Sequence, residues 1–181
     1  MAGDLAEGKA PFDVAFFDAA LLLYDGLNYL LEERRVRRLL AEVTRVLRPG
    51  GLFLFDHATP ANSADGPDPF EYEGVFEDER FEDACEGRYW RTSRYDPGAR
   101  LHYTTFELRG PAGSYTERHV QRVYDPGEVR ALLHRSPLVP VAAYDGLTTD
   151  PATPQSHRVH WLARSGTGER GSAGENRAAS E

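Results

Sequence analysis

The passage that most constrains the fold is 32–56, where an amphipathic pattern is cut off by Arg48-Pro49-Gly50-Gly51 and followed at once by Leu52-Phe53-Leu54-Phe55 and Asp56. Val36, Leu39, Leu40, Val43, Val46 and Leu47 recur at the spacing of one helix face, which predicts a helix over 32–47 with a single apolar stripe. Proline cannot continue that helix, and glycine accepts the left-handed turn that ends it. A strand without a polar member suits a parallel sheet buried on both faces. Residues 12–24, FDVAFFDAALLLY, form an earlier dense apolar run with isolated aspartates and read as another such strand. Strand, helix, glycine turn, strand is a right-handed crossover unit of an α/β sheet.

Residues 59–69 are polar and proline-rich and read as a loop, after which the period changes. Residues 87–95, 100–109 and 115–124 alternate, are rich in Tyr, Thr, Phe and Val, and are separated by Asp-Pro-Gly and Gly-Pro-Ala-Gly. That pattern predicts a meander of antiparallel strands. Asp125, Pro126 and Glu128 supply an N-cap, a first-turn proline and a capping-box acid for a helix that turns Val129, Leu132 and Leu133 inward. Two more strands are expected near 138–144 and 158–163. Residues 165–181 contain only Gly, Ser, Thr, Ala, Asn, Arg and Glu, the composition of a disordered tail. The expected organisation is a partial α/β domain over 1–164, with a β-rich insertion over 57–125, and then the tail.

Composition narrows the function classes. At 181 residues, 40% hydrophobic and 28% charged, the chain is too apolar to be wholly disordered. No apolar run approaches the ~18 residues of a spanning helix. Residues 1–11, with Asp4, Glu7 and Lys9, lack a signal-peptide core. The single Cys85 excludes an internal disulfide framework and a cysteine-rich zinc site, which suits a soluble, reducing, cytoplasmic setting. A net charge of -8 repels phosphate backbones unless a basic face is segregated. The densest basic group, Arg34, Arg35, Arg37 and Arg38, follows Glu32 and Glu33 and reads as a solvated mixed-charge helix face. The acidic stretch 71–86 reads as a solvated loop or edge without calcium-loop spacing. His102, His134, His157 and His160 form no metal constellation, so no nucleic-acid, membrane or metal role is expected.

The stretch 17–56, FDAALLLYDGLNYL…LLAEVTRVLRPGGLFLFD, resembles the second half of class I S-adenosylmethionine-dependent methyltransferases, in their small-molecule branch. Tyr24-Asp25-Gly26-Leu27-Asn28-Tyr29-Leu30 corresponds to the region after that family's fourth strand. Leu47-Arg48-Pro49-Gly50-Gly51 precedes its fifth, and Phe55-Asp56 ends it. HVQRVYDPGEVRALL from His119 and YDGL…P…R…WLA from Tyr144 look like the branch's final helix and hairpin. The resemblance covers 3–164. It implies a Rossmann-like sheet, present as its C-terminal half and carrying the antiparallel meander as an insertion. It also implies S-adenosyl-L-methionine as cofactor and a small-molecule acceptor.

Carried over residue by residue, the resemblance puts Asp4 and Leu5 beside the adenine and Leu23, Tyr24 and Asp25 along the methionine portion. Asn28 and Tyr29 stand at the crevice mouth, Asn28 on the cofactor side and Tyr29 on the substrate side. Ordinary strand-end packing competes for Leu23, Tyr24 and Tyr29, and capping of the next segment for Asp25 and Asn28. A protonated amine or hydroxyl acceptor must lose a proton. His57, following the strand-end Asp56, is the first candidate base, and His119, on the strand leading into the final helix, is the second. Arg122 is a candidate to hold a substrate carboxylate through a bidentate pair, its competing role being an ion pair with a nearby acid. The meander is expected to be the acceptor cap or a dimer surface.

Family features are also missing. The first strand with its glycine-rich turn, and the acid that holds the ribose hydroxyls, have no counterpart in the sequence. The chain therefore reads as a fragment, from a late start codon or truncated reading frame, with impaired methyl transfer and weak or no binding of S-adenosylhomocysteine. The alternative is a non-catalytic remnant that serves as an interaction or oligomerisation module. Another α/β enzyme, such as a dehydrogenase, fits the two turn motifs less well.

Overall fold

The computed structural model describes residues 11–65, 70–78, 85–110 and 113–166. Asp4, Leu5 and the tail beyond Gly166 lie outside the described residues. The elements run β1 (Phe17–Leu22), a 3-10 turn (Gly26–Tyr29), α1 (Glu33–Val46), β2 (Leu47–Ala58), α2 (Pro60–Ala64), β3 (Phe70–Asp78), β4 (Cys85–Asp96), β5 (Leu101–Gly110), β6 (Gly113–Arg122), α3 (Pro126–His134), β7 (Leu138–Asp145) and β8 (Arg158–Ser165). They make two four-stranded sheets, β1-β2-β8-β7 and β3-β4-β5-β6.

In the first sheet β1 and β2 are parallel, as the crossover pattern predicts, while β8 pairs antiparallel with both β2 and β7. The Arg-Pro-Gly-Gly stretch does more than end α1. Phe17 pairs with Leu47 but Ala19 with Leu52, so residues 48–51 bulge out of the ladder. Gly50 takes φ +79, and a Cβ on Gly51 would lie 2.9 Å from the Arg48 carbonyl and 3.1 Å from that of Asp18. One glycine supplies the backbone angle and the other permits close approach to β1.

The stripe of α1 is buried as its spacing predicts, and it packs with Phe53, Phe55, Trp161, Leu132 and Leu133 into one core cluster. The capping box of α3 is present: the Asp125 carboxylate accepts from Gly127 N at 2.7 Å, and Glu128 accepts from Asp125 N at 2.9 Å.

Three expectations need correction. β1 and β2 are covered on one face only. Ala20, Leu22, Phe53 and Phe55 meet the helices, whereas Leu21 is 64% exposed, Leu52 is exposed on the neighbouring strand, and Val139 and Val141 are exposed on the far edge strand β7. Both long helices contribute to the same core, and neither covers the opposite face, which is buried only at the carboxyl end of β2, at Asp56 and Ala58. The loop 59–69 contains a short helix, α2, N-capped by the Thr59 hydroxyl. Ser165, expected to open the tail, pairs with Leu138 at the end of the sheet.

The meander forms as an antiparallel sheet with β3 as an additional edge strand, drawn from the acidic stretch. Its register puts Arg91, Ser93, Tyr95, His102, Thr104, Phe106, Glu117, His119 and Gln121 on one face. That face turns toward the carboxyl ends of β1 and β2: His102 Nδ1 lies 3.1 Å from Ser63 Oγ, and His119 Nδ1 lies 2.8 Å from Tyr29 Oη.

Candidate active site

The chain leaves β1 through an unusual turn. Tyr24 and Asp25 both have φ 60, a left-handed conformation that costs a non-glycine residue energy and persists only where the surroundings hold it. Arg158, at the start of β8, supplies the hold. Its guanidinium bonds the Asp56 carboxylate and donates to Asp25 Oδ2 at 3.0 Å, while the Asp25 amide reaches Asp56 Oδ1 at 3.4 Å. Burial pulls the Arg158 pKa down, but the hydrogen bond to Asp56 and the charge of Asp25 outweigh it and leave the pKa raised. Asp25 Oδ1 lies 2.6 Å from the same guanidinium, so both oxygens of this carboxylate are engaged by Arg158.

Asn28 fastens the turn to both sheets. Its Nδ2 donates to Ala58 O at 3.0 Å and to Arg122 O at 2.8 Å, and its Oδ1 accepts from Ala58 N at 3.0 Å. The side chain is buried and fully engaged in joining the first turn to the ends of β2 and β6.

Between these strand ends and the inner face of the meander lies a cavity of about 330 Å³. Asp25, Asn28 and Arg158 line it from the first sheet, and Arg91, His102 and Gln121 from the meander, with Asn62 and Ser63 of α2 closing one side. The lining is polar almost throughout, which suits a ligand bound by hydrogen bonds rather than apolar burial. It occupies the place where open α/β sheets bind ligands, outside the carboxyl ends of the strands.

No family model matches the sequence. The chain is 28% identical over 155 residues to the "Putative methyltransferase" of Geobacillus sp. (strain WCH70), covering 82% of this chain and 59% of that one. Its structure aligns with an S-adenosylmethionine-dependent methyltransferase from Clostridium acetobutylicum ATCC 824 at TM-score 0.72 and 18% identity, over 92% of this chain and 64% of that one. The amino pentose methyltransferase of Micromonospora echinaspora, solved with S-adenosylmethionine bound and involved in calicheamicin biosynthesis, aligns at TM-score 0.62 and 16% identity, over 90% and 62%. The fold is that of the class I S-adenosylmethionine-dependent methyltransferases. The chain spans about six-tenths of the length of these relatives.

Within this methyltransferase fold the candidate residues separate. Leu23 and Tyr24 are exposed at the end of β1, Tyr24 at 88%, and Asp25 lines the cavity. Asp25 makes no side-chain cap on the 3-10 turn that follows it, which removes the competing account of that residue. Asn28 reaches the cavity wall, but its amide is committed to backbone. Arg122 is held in place by its neighbours: its guanidinium lies 4.8 Å over the Tyr124 ring, 3.7 Å from Glu128 and 3.4 Å from Leu31 O. The ion pair, rather than a free bidentate fork, is therefore what the fold gives Arg122.

The two histidines part completely. His57 points into the core, where it is fully buried, lies 6.4 Å from Trp161 in a stacked arrangement and has Nδ1 3.2 Å from Ala58 O. Its Nε2 has no partner, and burial pushes its pKa down to about 4. The side chain has no path to the cavity, so the expectation that His57 serves as base is corrected to a packing role. His119 stands on the cavity-facing side of the meander, between Tyr29 Oη at 2.8 Å and Glu117 Oε2 at 3.2 Å.

Reading the residues in line missed Arg158, His102, Gln121 and Glu117. Only Arg158 carried a signal, as the one arginine opening the apolar strand VHWLA. Among the described residues, no group of three or more His, Cys, Asp or Glu could hold a metal ion, and no helix is long and apolar enough to cross a membrane.

Proposed function

We propose that this chain carries the acceptor side of a methyl-transfer site that uses S-adenosyl-L-methionine and a small polar acceptor. The polar cavity between the strand ends and the meander carries this reading. The residues fit one end of the cofactor: Asp25, which lines the cavity, turns a carboxylate toward the cationic amino-acid portion, and Arg158 holds it there through the ion pairs it makes with Asp25 and Asp56. Leu23 and Tyr24 provide exposed surface beside them. When bound, the cofactor supplies an electrophilic methyl group on a sulfonium. The chain's own residues hold the acceptor, exclude water and remove its proton. Asn62, Gln121 and His102 offer hydrogen bonds to a hydroxyl- or amine-bearing acceptor, and Tyr29 stands at the mouth on the side of His119. Names of related proteins, among them the amino pentose enzyme, agree with an acceptor of this kind.

Titration of the chain with S-adenosylhomocysteine, followed by amide chemical shifts, tests the placement. Weak binding with shifts confined to 23–25, Asp56 and the cavity wall is expected. No shift at millimolar ligand sinks the reading. One observation favours a second reading, an interaction module: the uncovered apolar face of the first sheet, with β1 at its edge. A stable self-associated species that ignores S-adenosylhomocysteine would select it.

A further inference from the structure

The Tyr29, His119 and Glu117 side chains come from segments about ninety residues apart and meet where the two sheets meet. Tyr29 Oη is 2.8 Å from His119 Nδ1, with the two rings edge to face at 5.8 Å. His119 Nε2 is 3.2 Å from Glu117 Oε2. Each ring nitrogen therefore has one partner. An ionised carboxylate only accepts, so Nε2 carries the hydrogen and Nδ1 is left to accept from the phenol. Phe106, edge-on to the imidazole at 5.6 Å, buttresses the ring from β5. Glu117, His119 and Gln121 occupy successive positions on one face of β6, and Gln121 lines the cavity. On the other side Tyr29 follows Asn28, which also lines it. The three groups thus form an ordered chain beside the acceptor cavity, with the phenol as its outermost, half-exposed member.

We propose that Tyr29, His119 and Glu117 form a relay that takes the acceptor's proton, with the phenol as the group that touches the acceptor. The proposal rests on the methyl-transfer reading and deepens it. The acceptor's N–H or O–H bond breaks as a new O–H bond forms at Tyr29 Oη. The original phenolic proton passes at the same time to His119 Nδ1. The imidazolium so formed keeps its Nε2–H on Glu117, whose negative charge stabilises it. The acceptor nitrogen or oxygen retains the bonding pair, now free to attack carbon. Tyr29 itself stays protonated at neutral pH: burial first, and then the charges of Asp25 and Glu117, push its pKa up. It therefore acts by exchanging protons rather than as a standing phenolate. Tyr29 is the catalytic residue in this scheme, and His119 and Glu117 act through it.

The test uses the full chain with two conservative variants, Tyr29→Phe and Glu117→Gln, and two readouts. In long-range proton–nitrogen spectra of the parent, His119 should show a protonated Nε2 and an Nδ1 that accepts. Tyr29→Phe should move the Nδ1 resonance alone, and Glu117→Gln should move the Nε2 resonance alone. The charged group facing His119 is Glu117 on its own strand, and Asp25 acts on the phenol of Tyr29. Thr104 opposite His119 on β5 and the Phe106 ring carry no charge, and Arg91 lies on the Phe106 ring at 5.8 Å.

In methyl-transfer assays with small amines and polyols, Tyr29→Phe should lower kcat roughly 100-fold, the scale of general-base catalysis, with KM for the cofactor unchanged. Glu117→Gln should lower kcat less and move the acid limb of the pH profile. An Nδ1 resonance indifferent to Tyr29→Phe overturns the relay, whether or not turnover is observed. So does a Tyr29→Phe variant within threefold of the parent. If S-adenosylhomocysteine shifts nothing while the His119 spectra behave as stated, the failure lies with the methyl-transfer reading instead.

Discussion

The two sheets are built on different principles. The mixed sheet owes its order to a continuous apolar core, in which Phe53, Phe55 and Trp161 stack beneath α1 and α3. Among the described residues that core draws no member from the four strands of the meander. The meander's inner face is instead largely polar, with Ser93 Oγ 3.2 Å from Thr104 Oγ1 at its buried centre, while its outer face carries cation–aromatic contacts such as Arg94 over Tyr103 at 4.6 Å. Core burial contributes kilocalories per side chain, whereas exposed cation–aromatic pairs contribute about 0.5–1 kcal/mol. One sheet is therefore a rigid floor and the other a wall held by its backbone ladders, the arrangement expected of a scaffold and an adaptable acceptor cap.

The largest effect that would test this contrast comes from the floor. Trp161→Ala should cost about 3–5 kcal/mol and abolish cooperative unfolding in urea, whereas Tyr103→Ala in the meander should cost about 1 kcal/mol or less. Equal losses would refute the contrast. The junction comes next. Asn28→Ala removes the acceptor of the Ala58 amide and a donor to the carbonyls of Ala58 and Arg122, of which Ala58 O keeps its contact with His57 Nδ1. With about 1–3 kcal/mol for each buried group left unpaired, and partial relaxation, a total near ~3 kcal/mol is expected. Amide exchange should rise more across β6 than across β2. Uniform acceleration would mean that Asn28 supports the floor instead of joining it to the wall.

A third test concerns pH. The folded-state pKa of His57, about 4, lies below its ordinary value of 6.5. The unfolded chain therefore binds a proton that the native state refuses as pH falls between those values. The stability associated with neutral His57 is intact above pH 6.5 and is lost toward pH 4, by up to about 3 kcal/mol. His57→Phe should flatten the urea midpoints over that window. An unchanged acid limb would show that His57 is not sealed in the floor.

The contrast between the two histidines also shows why some of the site could be read in line and some not. Asp56 and His57 adjoin in sequence, and proximity to a strand end made His57 attractive. Neighbours on a strand point to opposite faces, however, so the residue beside a site acid is the one turned away from it. The Tyr29–His119 contact and the Asp25–Arg158–Asp56 bridge each join segments that no local pattern relates. By contrast, Gly50 and Gly51 and the Asp125-Pro126-Glu128 cap act within a few residues, and their spacing announces them. The open face of the first sheet was invisible for another reason. An all-apolar strand has the same composition whether its second face is covered by this chain, by another, or by nothing described.

That open face provides the smallest effect on folding and the clearest on association. Leu21 and Leu52 present aliphatic surface beside the edge of β1, which has β2 as its single strand neighbour among the described residues, and Val139 and Val141 are exposed on β7 at the opposite edge. Exposed strand edges next to apolar surface pair with copies of themselves. The chain should therefore self-associate with rising concentration in sedimentation velocity. Leu21→Lys removes surface that the native monomer leaves mostly exposed and should change the unfolding free energy by no more than about 0.5 kcal/mol, whereas Leu52→Lys, at a side chain 36% exposed, should cost about 1 kcal/mol. Together they should shift the chain toward monomer, because each copy would bring two charges to an apolar contact. If the parent is a clean monomer, the open face is not sticky; if the double variant still associates, the meander is the surface through which copies meet.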